Sequence, residues 1–227
     1  MDPPDDVRAR QIQSLVDELR RQGIRDERVL AAIAHVPRDR FVPRAFQEHA
    51  WKNVALPIGA AQTISQPYVV ALMTSALNLT GHERVLEVGT GSGYQSAVIA
   101  ELAAKLTSIE RQSALAQAAE RLLHDLGYRN IAVHVADGSR GWPDDAPYER
   151  IIVTAAAPRV PAPLIEQLNP AGGRLVVPVG GVDEQTLIAV ERQGDRFWEQ
   201  PLGPVRFVPL VGSAGWDVSV DENGHRR

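Results

Sequence analysis

The sequence predicts an α/β fold: a doubly wound, mostly parallel sheet with N-terminal helices and a C-terminal antiparallel hairpin. Three observations predict it. An apolar strand that starts at Val85 and carries one acid, Glu87, runs into a turn with glycine at every second position, Gly89, Gly91 and Gly93. A helix-compatible segment, residues 94–104, follows directly, and strand, glycine turn and helix form the opening unit of a nucleotide-type site in such a sheet. Beyond it, strand and helix patterns alternate to residue 179, which argues for parallel strands with helices on both faces. Near Gly180 the alternation stops, and two strand-like runs separated by Gln193, Gly194 and Asp195 read as a hairpin.

Ahead of the glycine turn the chain reads helical. Ile12, Leu15, Val16 and Leu19 fall at i, i+3, i+4 and i+7, one face of a helix that Gly23 ends. A second helix is expected over residues 27–35, with Val29, Leu30 and Ile33 as its apolar side, before Pro37 and Pro43 interrupt regular structure. Residues 44–66 read as an irregular loop, yet Trp51, Leu56 and Ile58 make it too apolar for a floppy linker; long loops inside a domain are commonly functional. A third helix is expected over residues 68–79.

After the glycine unit, strands are expected over residues 106–110, 131–136, 150–154 and 174–179, and helices over 114–126 and 164–168. Leu115, Leu122 and Leu126 form the inward stripe of the first of these helices, with Gly127 as its C-cap. Ile151, Ile152 and Val153 make one apolar run, as strands buried on both faces do. The hairpin strands cover residues 186–191 and 196–198. Residues 1–216 thus read as one domain, with helices and loop to residue 80, a βα core over 81–180 and a β extension over 181–216. Residues 217–227 read as a polar, frayed tail.

Composition narrows the function classes. The chain has 227 residues, 44% of them hydrophobic, enough to bury a full core. A net charge of −4 without a Lys/Arg block is not the footprint of a nucleic-acid binder. Zero cysteines exclude disulfides, thiol catalysis and thiolate metal sites. The acidic N-terminus lacks the apolar core of a signal peptide, and no run approaches the ~18 apolar residues of a membrane span. A cytoplasmic monomer with neither membrane nor nucleic-acid partners is expected. The six histidines are scattered, with no H-x-x-x-H pair, so no metal is expected.

Spacing around the glycines selects among nucleotide-type ligands. The dinucleotide pattern G-x-G-x-x-G fails, because Tyr94 or Ser96 stands where its third glycine should be. A phosphate loop fails too, since no lysine occurs between Lys52 and Lys105. What remains, E-x-G-x-G-x-G, resembles the pattern of S-adenosylmethionine methyltransferases, whose cofactor needs close backbone approach more than an anion nest. Three acids fall where ligands bind in open α/β sheets, outside the carboxyl ends of strands. Glu87 is near the end of the first strand, Glu110 ends the second and Asp137 follows the third. Singly each reads as a loop carboxylate or a helix cap. Together they suit a nucleoside, with Glu110 for ribose hydroxyls and Asp137 beside Gly138 for the adenine amino edge.

Further segments resemble one family closely. ALPIG followed by QTISQPY (residues 55–59 and 62–68), RIIVTAAAP (150–158) and VRFVPL (205–210) are similar to the corresponding stretches of protein-L-isoaspartate O-methyltransferases. The resemblance spans residues 38–211. It implies a Rossmann-like class I methyltransferase sheet. It also implies methyl transfer from S-adenosyl-L-methionine to the free α-carboxylate of L-isoaspartyl residues in damaged proteins and peptides, leaving S-adenosyl-L-homocysteine and beginning repair. By position, the family's active-site serine falls on Ser65. Thr63 and Gln66 flank it as cofactor contacts, together with Glu87, Gly89, Gly91, Gly93, Glu110, Asp137 and Gly138. Ile64, Ser65, Val205, Arg206, Phe207 and Val208 match the side that binds the peptide, VRFVPL being the family's C-terminal strand. Ala136 stands where glycine is common, and the turn over residues 169–173 is one residue longer than usual.

The implied chemistry agrees with the residues. A carboxylate with a pKa near ~4 is already ionised at neutral pH, so it needs no general base. A neutral hydroxyl such as Ser65 can hold one of its oxygens without neutralising it, whereas a lysine or arginine clamp would blunt the nucleophile. Trp51 and Tyr68 are candidates for the acceptor cleft or for the core. Three other readings compete. A base-amino methyltransferase would need an aromatic after the fourth strand to stack a flipped base, and Thr154 is followed by Ala155, Ala156, Ala157 and Pro158 instead. The others are a small-molecule methyltransferase and a non-catalytic binder.

Overall fold

The computed structural model describes residues 5–217; the expected tail, apart from Asp217, lies outside them. Helices α1 (Asp5–Arg21) and α2 (Glu27–His35) lead the fold. Asp26 caps α2 by accepting from the backbone N–H groups of Arg28 and Val29, the usual way to satisfy a helix's first free donors. Short 3₁₀ turns at Arg38–Phe41 and Arg44–His49 follow.

The stretch expected to be irregular holds a hairpin, β1 (Leu56–Gly59) paired antiparallel with β2 (Gln62–Ile64). Its turn puts Ala60 and Ala61 at φ +50° and +53°. Tight hairpin turns of this conformation are signalled by Asn-Gly or Gly-Gly, so an Ala-Ala turn is invisible to that rule. Helix α3 (Pro67–Leu77) opens with a proline in its first turn, where no N–H is missed. It stops two residues short of the expected end because Asn78 takes a left-handed cap at φ +57°.

The βα alternation then builds β3 (Arg84–Val88), α4 (Tyr94–Ala100), β4 (Lys105–Glu110), α5 (Ser113–Asp125), β5 (Ile131–Val135), β6 (Arg150–Val153), α6 (Ala162–Glu166) and β7 (Ala171–Gly180). Strands β8 (Gln185–Gln193) and β9 (Arg196–Val205) complete a seven-stranded sheet of order β5-β4-β3-β6-β7-β8-β9. β3 through β7 pair in parallel, and β7, β8 and β9 pair antiparallel. Successive residues leave each central strand on opposite faces: Leu86, Ile151 and Leu175 pack on one side, Val85, Ile152 and Val176 on the other.

Three expectations are corrected in detail. The buried face of α5 is Ala116, Ala119 and Leu123, while the expected Leu115, Leu122 and Leu126 are only half-buried. The small alanines let the helix approach the glycine turn: a Cβ on Gly93 would lie 3.3 Å from both Ala119 Cβ and Leu123 Cδ1. β9 runs to Val205 rather than 198, through Pro201, Gly203 and Pro204. Prolines read as strand breakers, but an edge strand tolerates them because one row of its N–H groups has no ladder partner. Finally, of the expected C-terminal strand only Val205 lies in a strand; the chain beyond it is extended, with Pro209 bridged to Ala156.

Candidate active site

β3 is where the strand order reverses: β4 lies on one side of it and β6, reached by a crossover, on the other. Such a switch point opens a crevice outside the strands' carboxyl ends, and there the protein has a cavity of about 1470 Å³. Its floor is the glycine turn. Gly89 has φ +102°, and a Cβ there would sit 2.2 Å from Thr154 Oγ1. The Thr154 hydroxyl, at the end of β6, contacts the carbonyl oxygens of Gly89 at 2.6 Å and Val88 at 3.1 Å. Thr154 thereby ties the two strand ends together under the turn, a role its place after an apolar run did not signal.

Glu110, only 7% exposed, lines the cavity. Its Oε2 accepts from Gly91 N–H at 3.0 Å and its Oε1 from Gln112 N–H at 2.9 Å. Each carboxylate oxygen has two acceptor sites, so two backbone bonds orient the group and leave capacity for a ligand's hydroxyls. Gly138 also lines the cavity, and a Cβ there would meet Val88 Cγ1 at 2.6 Å. Glycine is what lets the chain after β5 lie this close to the β3 end.

Two acids expected at the cofactor lie outside the cavity lining and hydrogen-bond within the protein. Glu87 lies fully buried beneath the turn and is not a wall of the cavity. Its Oε2 accepts from the Ser96 hydroxyl and from Ser108 Oγ at 2.6 Å, and Ser108 in turn meets Thr90 Oγ1 at 2.6 Å. Among the described residues its Oε1 has no partner. Burial, against the pull of the two hydroxyl bonds and with help from the Glu110 charge, pushes its carboxyl up to about 7. Register explains the placement: Glu87 is paired with Ser108, one step before the strand ends.

Asp137 likewise does not line the cavity. Its Oδ1 accepts from Ser139 N–H and Oγ at 3.0 and 2.7 Å, and its Oδ2 from Ser213 N–H and Oγ at 2.8 and 2.9 Å. Burial raises its carboxyl, but these hydrogen bonds win and hold it below the ordinary range. Seventy-six residues separate Asp137 from Ser213, so only folding could reveal that the C-terminal segment takes this carboxylate. Trp216, whose indole N–H donates to Ala156 O at 3.0 Å, brings the same segment to the cavity wall.

The second wall is the acceptor loop. Thr63, Ile64, Ser65 and Gln66 all line the cavity, as does Tyr68, whereas Trp51 is buried in the N-terminal core. Gln66 turns its amide N–H to Asn53 O at 3.0 Å. Asn53 Oδ1 accepts from Tyr68 N–H at 2.9 Å, and Asn53 Nδ2 donates to Glu18 Oε1 at 2.8 Å, anchoring the loop on α1. Arg38, fully buried, donates to Ala50 O at 2.8 Å and Val54 O at 3.2 Å and stacks 4.8 Å above the Tyr94 ring. Sequence reasoning missed Arg38 and Asn53, because such residues are mostly exposed and nothing local marks these two as buried braces. Val205, Arg206, Phe207 and Val208 form the opposite wall, with Val208 O accepting from Ala156 N–H at 2.8 Å.

A glycine turn at the switch point, an oriented acid at the next strand end and a separate loop over the same cavity define a class I methyltransferase. A family model described as protein-L-isoaspartate(D-aspartate) O-methyltransferase matches residues 10–215, and the chain belongs to that family. The protein-L-isoaspartate O-methyltransferase of Dictyoglomus thermophilum is 52% identical over 204 residues, covering 90% of this chain and 92% of that protein. Protein-L-isoaspartate O-methyltransferase 1 of Syntrophobacter fumaroxidans is 56% identical over 196 residues, 86% of this chain and 91% of its own. A solved protein-L-isoaspartate O-methyltransferase superposes with a TM-score of 0.82 at 26% identity, over 90% of this chain and 67% of that one. A Plasmodium falciparum protein crystallised with S-adenosyl-L-homocysteine shares the fold with a TM-score of 0.74 at 21% identity, over 87% and 97% of the two chains.

Proposed function

We propose that the chain transfers a methyl group from S-adenosyl-L-methionine to the free α-carboxylate of L-isoaspartyl residues in damaged proteins and peptides, releasing S-adenosyl-L-homocysteine and initiating repair. The observation that carries this reading is that the glycine turn and residues 63–66 line one continuous cavity, so a donor and an acceptor can meet there. The cofactor fits the residues present. Gly89 and Gly91 expose main chain to it, Gly138 leaves room beside the β3 end, and Glu110 retains acceptor sites for both ribose hydroxyls. Gly93, expected with them, is instead buried against Ala119 and Leu123 of α5 and does not line the cavity. When bound, it supplies a methyl group already activated on a sulfonium.

The protein's own residues then have little proton chemistry to do. The isoaspartyl carboxylate is ionised at neutral pH, and the Ser65 hydroxyl donates to one of its oxygens while the other faces the donor. Thr63 and Gln66 frame the meeting point. Ile64, Val205, Phe207 and Val208 strip water from the carboxylate, and in-line placement supplies the rest of the acceleration. Substrates on this reading are isoaspartyl proteins and peptides, with no nucleic acid or membrane partner. A monomeric state and a cytoplasmic location belong to the same proposal; among the described residues no helix is long and apolar enough to cross a membrane.

Paired peptides that differ only in Asp against isoAsp, incubated with labelled cofactor, test the proposal. Label should enter the isoaspartyl peptide alone as a base-labile ester. Equal labelling of the two, or none of the isoaspartyl form, overturns it.

A further inference from the structure

β8 begins at Gln185, opposite Val205, the last residue of β9. Two residues further along this antiparallel ladder, Phe207 would need a partner at position 183, but β8 has no residue there. The Gln185 side chain fills the place. Its Oε1 accepts from Phe207 N–H at 2.7 Å, and its Nε2 donates to Phe207 O at 3.1 Å. A carboxamide carries the same donor and acceptor as a peptide group. Bonding both main-chain groups of one residue reproduces the exchange of a hydrogen-bonded antiparallel pair. The side chain thus acts as one more rung of the sheet, and it is held firmly, since Gln185 is only 6% exposed.

On the other flank, Ala156 donates its N–H to Val208 O and accepts from Leu210 N–H, both at 2.8 Å. Residues 206–208, which belong to no strand, are therefore fixed from two sides, and the side fixed by Gln185 depends on one side chain. Both hydrogen bonds of that side chain go to Phe207. None goes to the glycine turn, to Glu110 or to Gly138, where the donor would lie.

We infer that Gln185 is a positioning residue for the methyl acceptor: it sets the main chain of Phe207 and hence the Val205–Val208 wall against which the isoaspartyl peptide lies. The inference rests on the proposal that this wall carries the peptide. Gln185 serves the acceptor half of the cavity and leaves the donor half unchanged.

Gln185→Leu keeps the side-chain bulk and removes both bonds. The KM for an isoaspartyl peptide should rise roughly tenfold, while calorimetric affinity for S-adenosyl-L-homocysteine stays within about twofold. Gln185→Glu gives a signature that loss of packing would not. As a carboxylate it still accepts from Phe207 N–H but opposes Phe207 O with a lone pair; protonated, it donates again. Its peptide KM, divided by that of the wild type at each pH, should therefore fall toward one as pH is lowered from about 8 to about 5.5, burial having raised the new acid. This arm holds even if the leucine variant does not fold.

Amide exchange of the wild-type protein with and without the isoaspartyl peptide tests the underlying wall. If amides of residues 205–208 gain no protection, the wall reading falls and takes the inference with it. If they are protected yet folded Gln185→Leu keeps a wild-type peptide KM, the role of Gln185 alone is overturned. It is overturned equally if the variant weakens S-adenosyl-L-homocysteine as much as the peptide, or if the KM ratio of Gln185→Glu ignores pH.

Discussion

Replacing Glu87 with glutamine should change the way stability depends on pH, by an amount the structure supplies. Glu87 is fully buried, its Oε2 bonded to the Ser96 and Ser108 hydroxyls and its Oε1 unpartnered among the described residues. Burial is the largest cause of a carboxyl raised from 4.5 to about 7. Between those values the folded protein keeps a proton that the unfolded chain has released. Stability contributed by this group is thus fully present below about 4.5 and is lost as pH rises toward about 7. At 1.36 kcal/mol per pKa unit the loss is ~3 kcal/mol. A glutamine at this position cannot ionise, so Glu87→Gln should match the wild type within ~1 kcal/mol at pH 5 and exceed it by ~2–3 kcal/mol at pH 8. Urea unfolding of both proteins at half-unit steps across this range gives the difference directly. A stability difference that stays flat from pH 5 to 8 would refute the reasoning and mean that Glu87 is ionised in the folded protein throughout.

Two substitutions separate donor from acceptor. Glu110→Ala should weaken S-adenosyl-L-homocysteine by ~1–3 kcal/mol through lost charge-assisted contacts; an unchanged affinity by calorimetry would show that the ribose lies elsewhere. Ser65→Ala should lower turnover of an isoaspartyl peptide about tenfold or more while cofactor affinity stays within about twofold, and a variant that instead loses the cofactor would move Ser65 into the donor pocket.

Much of this molecule is legible in particular residues. The strand with Glu87, the glycines that follow and Glu110 at the next strand end predict where the crevice lies, because hydrophobic period and glycine spacing are local properties of the chain. α2 is expected over residues 27–35 and is found at Glu27–His35. Other features hide for identifiable reasons. The Ala60–Ala61 turn lacks its usual residues, Pro201 and Pro204 disguise an edge strand, and the alanine face of α5 wins burial over larger leucines because it meets Gly93.

The sequence by itself determined the fold class and singled out the glycine turn and the segment that carries Ser65, which the structure brings to one cavity. Each of those two segments is a run of neighbouring residues, and the fold class follows from the order of strand and helix periods that are each local to one element. Tertiary structure alone decided the duties of the polar side chains. Asp137 is adjacent to Gly138 in sequence, yet its carboxylate is held by Ser213. Glu87 sits in the glycine motif, yet register turns it to Ser108 and away from the cavity. Gln185 carries no motif at all, yet it pairs with Phe207 as a strand would. A buried polar group must find its hydrogen-bond partner wherever the packed chain provides one, and that partner is set by proximity in space.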